Sequence, residues 1–304
     1  LGIIHSFRTT ARFLNTHPLS RRSRTAAWSR YLRWQIGARL LGQPVIMPFA
    51  NGARFIAEPG AVGLTGNIYC GLHEFHDMAF LLHFLRSGDV FYDVGANVGS
   101  YTLLASAAAG AKTICFEPIP STFAKLIANV RVNNAEGLVN AQNIGVGNRD
   151  ETKYFTSNLD TVNRVALDTD SSDAGRLEVK VRTLDSFSAT TPPTLIKIDV
   201  EGFETEVLDG ARQTLSHPEL RGMIVELNEG GKTFGHDNAD IEAFIRERGF
   251  APYSYDPFTR KLTPYIEARA QDAVADNKLF LRDVNFVSER VSQAAAISVV
   301  GFHI

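Results

Sequence analysis

Phe91-Tyr92-Asp93-Val94-Gly95-Ala96-Asn97-Val98-Gly99-Ser100-Tyr101 is the stretch whose reading decides the fold. The apolar run 90–94 predicts a strand buried on both faces, and the small-residue run 100–109 predicts a helix. Between them, Gly95 and Gly99 permit a tight turn and let a ligand approach the backbone with no Cβ in the way. The first N–H groups of the helix, from Ser100 on, offer donors to an anionic part of that ligand.

Outward from this point, strand and helix patterns alternate. Residues 113–116, 138–146, 178–181, 195–198 and 223–227 read as strands. Residues 121–133, 204–215 and 241–248 read as helices, the last closed by Gly249, and 184–187 is a short intervening segment. Alternation with apolar strands predicts an α/β fold, a doubly wound, mostly parallel sheet. Upstream, 73–86 reads as a helix and 45–70 as a β-region. There, Val45-Ile46-Met47 and Ala53-Arg54-Phe55-Ile56 flank Asn51-Gly52, a strong hairpin-turn signal. Residues 156–177, rich in Asp and Ser, read as a surface loop of a length that often carries function. The expected organisation is a basic helical extension over 1–44, a β-hairpin and helix lead-in over 45–86, and the ligand-binding domain over 87–304.

The 304 residues carry a net charge of −2, with 44% hydrophobic and 21% charged. This excludes a disordered or collagen-like chain and a global nucleic-acid charge field. Cys70 and Cys115 make neither a disulfide framework nor a Cys-rich zinc site. Cys115, inside the apolar run 113–116, reads as a buried thiol, so a reducing, cytoplasmic setting is expected. No run approaches the ~20 apolar residues of a membrane span, and the N-terminus lacks the order of a signal peptide.

Residues 1–44 stand apart. They hold Arg8, Arg12, Arg21, Arg22, Arg24, Arg30, Arg33 and Arg39 and no acid. Trp28, Tyr31, Leu32, Ile36 and Leu40 recur at helical spacing. One reading is an appended helix that packs this stripe on the main domain. The other is an anchor for anionic lipid, an acidic substrate or a partner.

The loop spacing is Asp-x-Gly-x-x-x-Gly, not the Gly-x-Gly-x-x-Gly of dinucleotide sites. A carboxylate two residues before the first glycine suits a cationic amine. S-adenosylmethionine offers one, in an amino-acid tail without phosphate. Glu117, 24 residues after Asp93 at the next strand end, is placed to accept from ribose hydroxyls. Pro118 stops that strand and removes a donor. Asn143, at the third strand end, is expected near the adenine edge. A bare strand–helix turn is the plain alternative, but two glycines with a strand-end acid exceed what a turn requires.

Asp93-Val-Gly-Ala-Asn-Val-Gly-Ser-Tyr-Thr102, Phe116-Glu-Pro118, Val181-Arg-Thr-Leu-Asp185, Ile196-Lys-Ile-Asp-Val-Glu-Gly-Phe-Glu204, Val207-Leu-Asp-Gly210 and Ile224-Val-Glu-Leu227 together resemble the FkbM-type methyltransferases over residues 70–285. The resemblance implies a Rossmann-like, seven-stranded sheet with an antiparallel hairpin at its edge. It also implies S-adenosylmethionine as cofactor and methyl transfer to a hydroxyl of a sugar, glycan or other secondary metabolite. By motif position it makes Asp93, Gly95, Asn97, Gly99 and Glu117 cofactor residues, and Glu74 resembles an acid that family members often carry before the glycine loop. Asn148 stands where an Asp is common. Residues 1–44 and the tail after Phe286 have no counterpart in the family.

A hydroxyl acceptor needs a base, and ligands of open α/β sheets sit beyond the carboxyl ends of the strands. Asp199 and Glu201, after strand 195–198, are expected there as base or acceptor-orienting group, with Lys197 steadying a carboxylate. Capping of the next helix by one of them is the plain alternative. Glu226 and Asn228, after the following strand, are expected to touch substrate. His73, Glu74, His76 and Asp77 invite a metal reading, but the histidines do not make a His-Glu-x-x-His motif, so no metal is expected, although either histidine offers an alternative base. A nicotinamide-dependent oxidoreductase would need the missing glycine triplet. A nucleic-acid methyltransferase would need an Asp-Pro-Pro-Tyr-like motif, which is absent. A non-catalytic binder would have no need of the strand-end acids.

Overall fold

The computed structural model describes residues 2–59, 64–156, 164–165, 175–228, 237–266 and 277–304. Three helices lead: α1 (Gly2–Thr16), α2 (Pro18–Arg22) and α3 (Arg24–Leu41). Strands β1 (Val45–Pro48) and β2 (Arg54–Ala57) pair antiparallel. Asn51 and Gly52 both have positive φ (50° and 84°), as the Asn-Gly turn requires. The rest of the expected β-region contains a helix instead, α4 (Thr65–Cys70), followed by α5 (Phe75–Phe84). α4 packs against α3, and this long-range partner is what local pattern could not supply.

Next come β3 (Val90–Val94), α6 (Ser100–Leu103), β4 (Lys112–Phe116), α7 (Pro120–Val132), β5 (Val139–Gln142), β6 (Gly145–Val146), β7 (Glu151–Thr156) and β8 (Arg176–Arg182). After them lie α8 (Asp185–Ser188), β9 (Leu195–Ile198), α9 (Glu204–Asp209), α10 (Arg212–Ser216), β10 (Gly222–Glu226) and α11 (Asn238–Arg246). The chain closes with β11 (Ala251–Asp256), β12 (Lys261–Pro264), β13 (Asn277–Leu281), α12 (Val284–Ser292), β14 (Ser298–Val299) and β15 (Phe302–His303).

The main sheet has eight strands in the order β12-β11-β13-β10-β9-β3-β4-β5. Neighbours from β5 to β10 are parallel, while β13 lies antiparallel to both β10 and β11. The seven expected strands are joined by an eighth, β12, which pairs antiparallel with β11 at the edge. The turn between them is built by Asp256, which accepts from the Phe258 N–H and the Thr259 hydroxyl.

Alternate residues of each central strand feed two cores. Phe91, Leu195 and Ile224 face the core under α5, and Tyr92, Ile196 and Val225 face the core under α9, α10 and α11. Three other expectations are corrected by long-range contacts. The single strand over 138–146 divides, because Gly145 and Val146 leave the main sheet to pair with β8. The single helix over 204–215 breaks at Gly210, where a Cβ would lie 2.0 Å from the Gly147 carbonyl oxygen; Asp185 then caps α10, accepting from the N–H groups of Gln213 and Thr214. The helix over 100–109 shifts to a π-turn over Leu104–Ala108, a distortion frequent beside functional sites. The polar loop expected over 156–177 lies mostly outside the described residues.

The aromatic–aliphatic stripe of α3 does not pack as a unit. Trp28 and Tyr31 lean on the core, but Leu32, Ile36 and Leu40 point to solvent. The side chains that α3 buries are Ala27 and Trp34.

Candidate active site

From β3 the chain moves to β4 on one side and later to β9 on the other. The carboxyl ends of β3 and β9 therefore flank the point where strand order reverses, the place where open α/β sheets bind ligands. Register sets the rim. Val94 pairs with Phe116 and Ile198, and Ile198 pairs with Val225, so Gly95, Glu117, Asp199 and Glu226 each emerge one step beyond.

Gly95 has φ 80°, and a Cβ there would meet the Asp199 carbonyl oxygen at 1.8 Å. The first glycine is thus demanded by the close passage of the β9 loop, a reason beyond the ligand access that its spacing suggests. Gly99 (φ 96°) opens α6. Asn97 is held at φ 50°, where its N–H donates to Glu117 Oε2 at 3.0 Å. Glu117 Oε1 accepts from the Ile119 N–H at 2.9 Å. These two amides fix the carboxyl group at the end of β4. Burial raises its pKa to about 7 against their opposing effect. Asn143 donates to the Glu117 and Pro118 carbonyls and so ties the third strand end to the same edge. Asp93 is buried, accepts from the Thr102 hydroxyl at 2.6 Å, and is pushed up to about 6 by burial, against the pull of Lys197. Ser100 begins α6 beside this loop.

Lys197 is the hub of the second half of the site. It is 3% exposed, and its Nζ donates to Asp199 Oδ2 at 2.5 Å and lies 4.7 Å from the centre of the Tyr101 ring. Burial alone would lower its pKa, but Asp199, Glu74 and Asp93 outweigh that and keep it charged. Asp199, Glu201 and Glu226 each place an oxygen within 4.8 Å of the others. Such crowding cannot leave every carboxyl ionised. Burial, then the charges of Asp199 and Glu204, lift Glu201 to about 7. Burial, then Asp199 and Glu201, hold Glu226 protonated. Asn228 donates to Glu226 Oε2 at 2.8 Å. Glu201 sits at φ 53° and Gly202 at φ 100°; a non-glycine residue there carries strain of about 1 kcal/mol.

Among the described residues, neither Asp199 nor Glu201 caps α9. Glu204 does the local work, its Oε1 accepting from the N–H groups of Val200 and Gly202. Both acids are half-buried at the end of β9 and are not spent on the helix start.

Glu74 is near enough for its charge to act on Lys197, and Asn277 of β13 donates to its Oε1 at 3.0 Å. Asp77, one turn along α5, is raised to about 7 by burial and then by Glu74. Burial, followed by Glu74 and Asp77, keeps the Tyr101 phenol protonated. Tyr101 and Asn277 are not among the expected site residues, and Asp77 enters the sequence reading only through the metal cluster that is set aside there. Asp77 follows Glu74 at helical spacing, and Tyr101 closes the glycine stretch, so both were within reach. Asn277 is 203 residues from Glu74 and carries no local signal. His73 and His76 part company: His76 Nδ1 bonds the Tyr255 carbonyl, while His73 packs against Phe13. They share no site.

The site as built has one lysine among Glu74, Asp77, Asp93, Asp199, Glu201 and Glu226. That excess of carboxyls suits a cationic ligand part, a sulfonium or ammonium, better than a pyrophosphate. Glu117 offers a fixed acceptor for paired hydroxyls. The residues present therefore fit S-adenosylmethionine.

A profile of the family described as Methyltransferase FkbM domain matches residues 93–252. The hexuronic acid methyltransferase AglP of Haloferax volcanii is 31% identical over 153 residues, covering 49% of this chain and 60% of that protein. The 31-O-demethyl-FK506 methyltransferase FkbM of Streptomyces tacrolimicus is 29% identical over 216 residues, 58% and 78% of the two chains. Among solved structures, a methyltransferase FkbM from Methylobacillus flagellatus aligns with a TM-score of 0.43 at 17% identity, over 72% of this chain and 52% of that one. The chain spans three-fifths of the haloarchaeal relative and about half of the Methylobacillus chain. Among the described residues no helix is long and apolar enough to cross a membrane.

Proposed function

We propose that this chain, which belongs to the FkbM methyltransferase family, is an S-adenosylmethionine-dependent O-methyltransferase acting on a hydroxyl of a sugar, glycan or similar small molecule. One juxtaposition carries the reading: the amide-held carboxyl of Glu117 and a cluster of carboxyls around Lys197 share one rim at the strand-order reversal. The names of two relatives support this reading: one is a hexuronic acid methyltransferase, a sugar-acid acceptor, and the other a 31-O-demethyl-FK506 methyltransferase, an oxygen acceptor.

Glu117 would accept from the ribose hydroxyls, with the loop from Gly95 to Ser100 and Asn143 beside it. Asp93 and Glu74 add negative charge near the cationic end. When bound, the cofactor supplies an electrophilic methyl group on a sulfonium. The protein's own residues do the rest. Lys197 holds Asp199 in one orientation, so that Asp199 can accept a hydrogen bond from a second, neighbouring hydroxyl of the acceptor and orient the molecule, leaving the single proton of the reacting hydroxyl to Glu201. Glu201, poised near neutrality, takes the proton, since a base works best with a pKa near the working pH. Glu226, protonated, donates to another oxygen of the acceptor, with Asn228 fixing its rotamer.

The test is incubation with 13C-methyl-labelled S-adenosylmethionine and a panel of hexuronic acids, neutral sugars and hydroxylated polyketides. The expected product carries its label on oxygen by NMR, and Glu201→Gln suppresses it. Label found on nitrogen or carbon, or only in added RNA or protein, overturns the reading.

A further inference from the structure

α3 is apolar on two opposite faces. Ala27 and Trp34 are buried on one, beside the half-buried Ala38. On the other, Leu32, Ile36 and Leu40 are 52%, 58% and 80% exposed and fall within an arc of about 80° at 100° per residue. Leu32 and Ile36 border a shallow groove that also takes in Trp28, Thr25 and Gly37. The inner face is anchored: Arg30 donates to the Tyr69 carbonyl at 2.8 Å and Gln35 to the Tyr69 hydroxyl at 3.0 Å. The outer face therefore cannot turn inward.

The charge around it has one sign. Arg33 and Arg39 are exposed at the two edges of the aliphatic arc, and Arg21, Arg22 and Arg24 are exposed at the start of the helix. Among the described residues none of these five forms an ion pair with a carboxylate. Residues 1–44 carry eight arginines and no acid, so of the net −2 the remaining 260 residues hold −10. Such an asymmetry turns the N-terminal face, and not the acidic rest of the molecule, toward a negative surface.

We propose that the outer face of α3 docks in the plane of an anionic lipid bilayer, with Leu32, Ile36 and Leu40 entering the acyl boundary and Arg33 and Arg39 meeting headgroup phosphates. A bilayer supplies an apolar layer bordered by negative charge on both sides of an 18-residue helix lying flat. A protein partner would need an aliphatic centre ringed by acids on both flanks.

The chain's two tryptophans, Trp28 and Trp34, both lie on α3, which gives a direct optical readout on the intact chain. With vesicles of phosphatidylcholine plus phosphatidylglycerol, Trp28 emission is expected to shift to the blue and to be quenched by brominated acyl chains, while buried Trp34 does not respond. Vesicles of phosphatidylcholine alone should bind weakly, and salt should release the protein. Arg33→Gln with Arg39→Gln should weaken vesicle binding about 25-fold, fivefold for each charge. Leu32→Ser, Ile36→Ser and Leu40→Ser together should weaken it on the order of a hundredfold while leaving the thermal melt unchanged. No binding to anionic vesicles at low salt overturns the proposal. So does a wild-type dimer in light scattering that the triple serine variant converts to monomer, because the face would then belong to a second copy.

Discussion

Replacing Glu117 by Gln tests the nucleoside half of the site through protons as well as affinity. The carboxyl is raised to about 7 by burial, and both its oxygens already accept backbone amides. A ribose that donates to it selects the ionised form. With the free group titrating near 7, the apparent Kd for S-adenosylhomocysteine carries a factor of 1 + 10^(7−pH). The factor is about 11 at pH 6 and about 1.1 at pH 8, a tenfold tightening, or about 1.4 kcal/mol. Asp93, lying near 6, adds at most about twofold at pH 6. In Glu117→Gln the slope should collapse to that small remainder. Losing charge-assisted hydrogen bonds should cost about 2 kcal/mol, roughly thirtyfold in Kd at pH 8. Isothermal titration calorimetry at pH 6, 7 and 8, in two buffers of different ionisation enthalpy, measures both the affinity and the proton released. A wild-type affinity that is flat between pH 6 and 8, or a slope that persists in Glu117→Gln, would refute the reasoning.

Other outcomes follow from the same geometry. Glu201→Gln should lower kcat by about 10²–10⁴ with little change in cofactor affinity, and should remove an acidic limb near pH 7 from the wild-type rate profile, where activity falls as Glu201 protonates. Glu201→Gly should raise thermal stability by about 1 kcal/mol by relieving the strain of φ 53°, while activity is lost as in the Gln variant. Gly95→Ala should cost about 3 kcal/mol or more in a denaturant melt, since the added Cβ runs into the Asp199 carbonyl. Lys197→Met leaves the carboxyls uncompensated and should destabilise the chain by roughly 3–5 kcal/mol near pH 8. With folded-state pKa values raised above the unfolded ones, the lost stability should return as pH falls toward 4; a melt equally weakened at both pH values would count against the hub role.

The fold was legible where local chemistry is strict. The glycine stretch, the Asn51-Gly52 turn and the apolar strands 90–94 and 195–198 announce themselves because positive φ and two-sided burial admit few residue types. The reading faltered where distant residues intervene. Gly210 breaks a helix only because Gly147 passes beside it, and β6 leaves the main sheet only because β8 is there to receive it. At the site, the strand-end positions of Asp93, Glu117 and Asp199 could be placed by counting. The direction of Lys197 could not, since a residue inside a strand buried on both faces has no marked side. Asn277 joins Glu74 through the antiparallel strand β13, whose pairing no motif records. On α3 periodicity found the apolar stripe but not which side of it meets the core, because the helix has two such sides.

The most direct test of the central claim is a side-by-side calorimetric titration of the intact chain with S-adenosylhomocysteine and with NAD. A single saturable site for S-adenosylhomocysteine that Glu117→Gln weakens, with no heat from NAD, is the predicted result. A folded chain that takes up NAD, or that gives no heat with S-adenosylhomocysteine even at millimolar concentration, would contradict it.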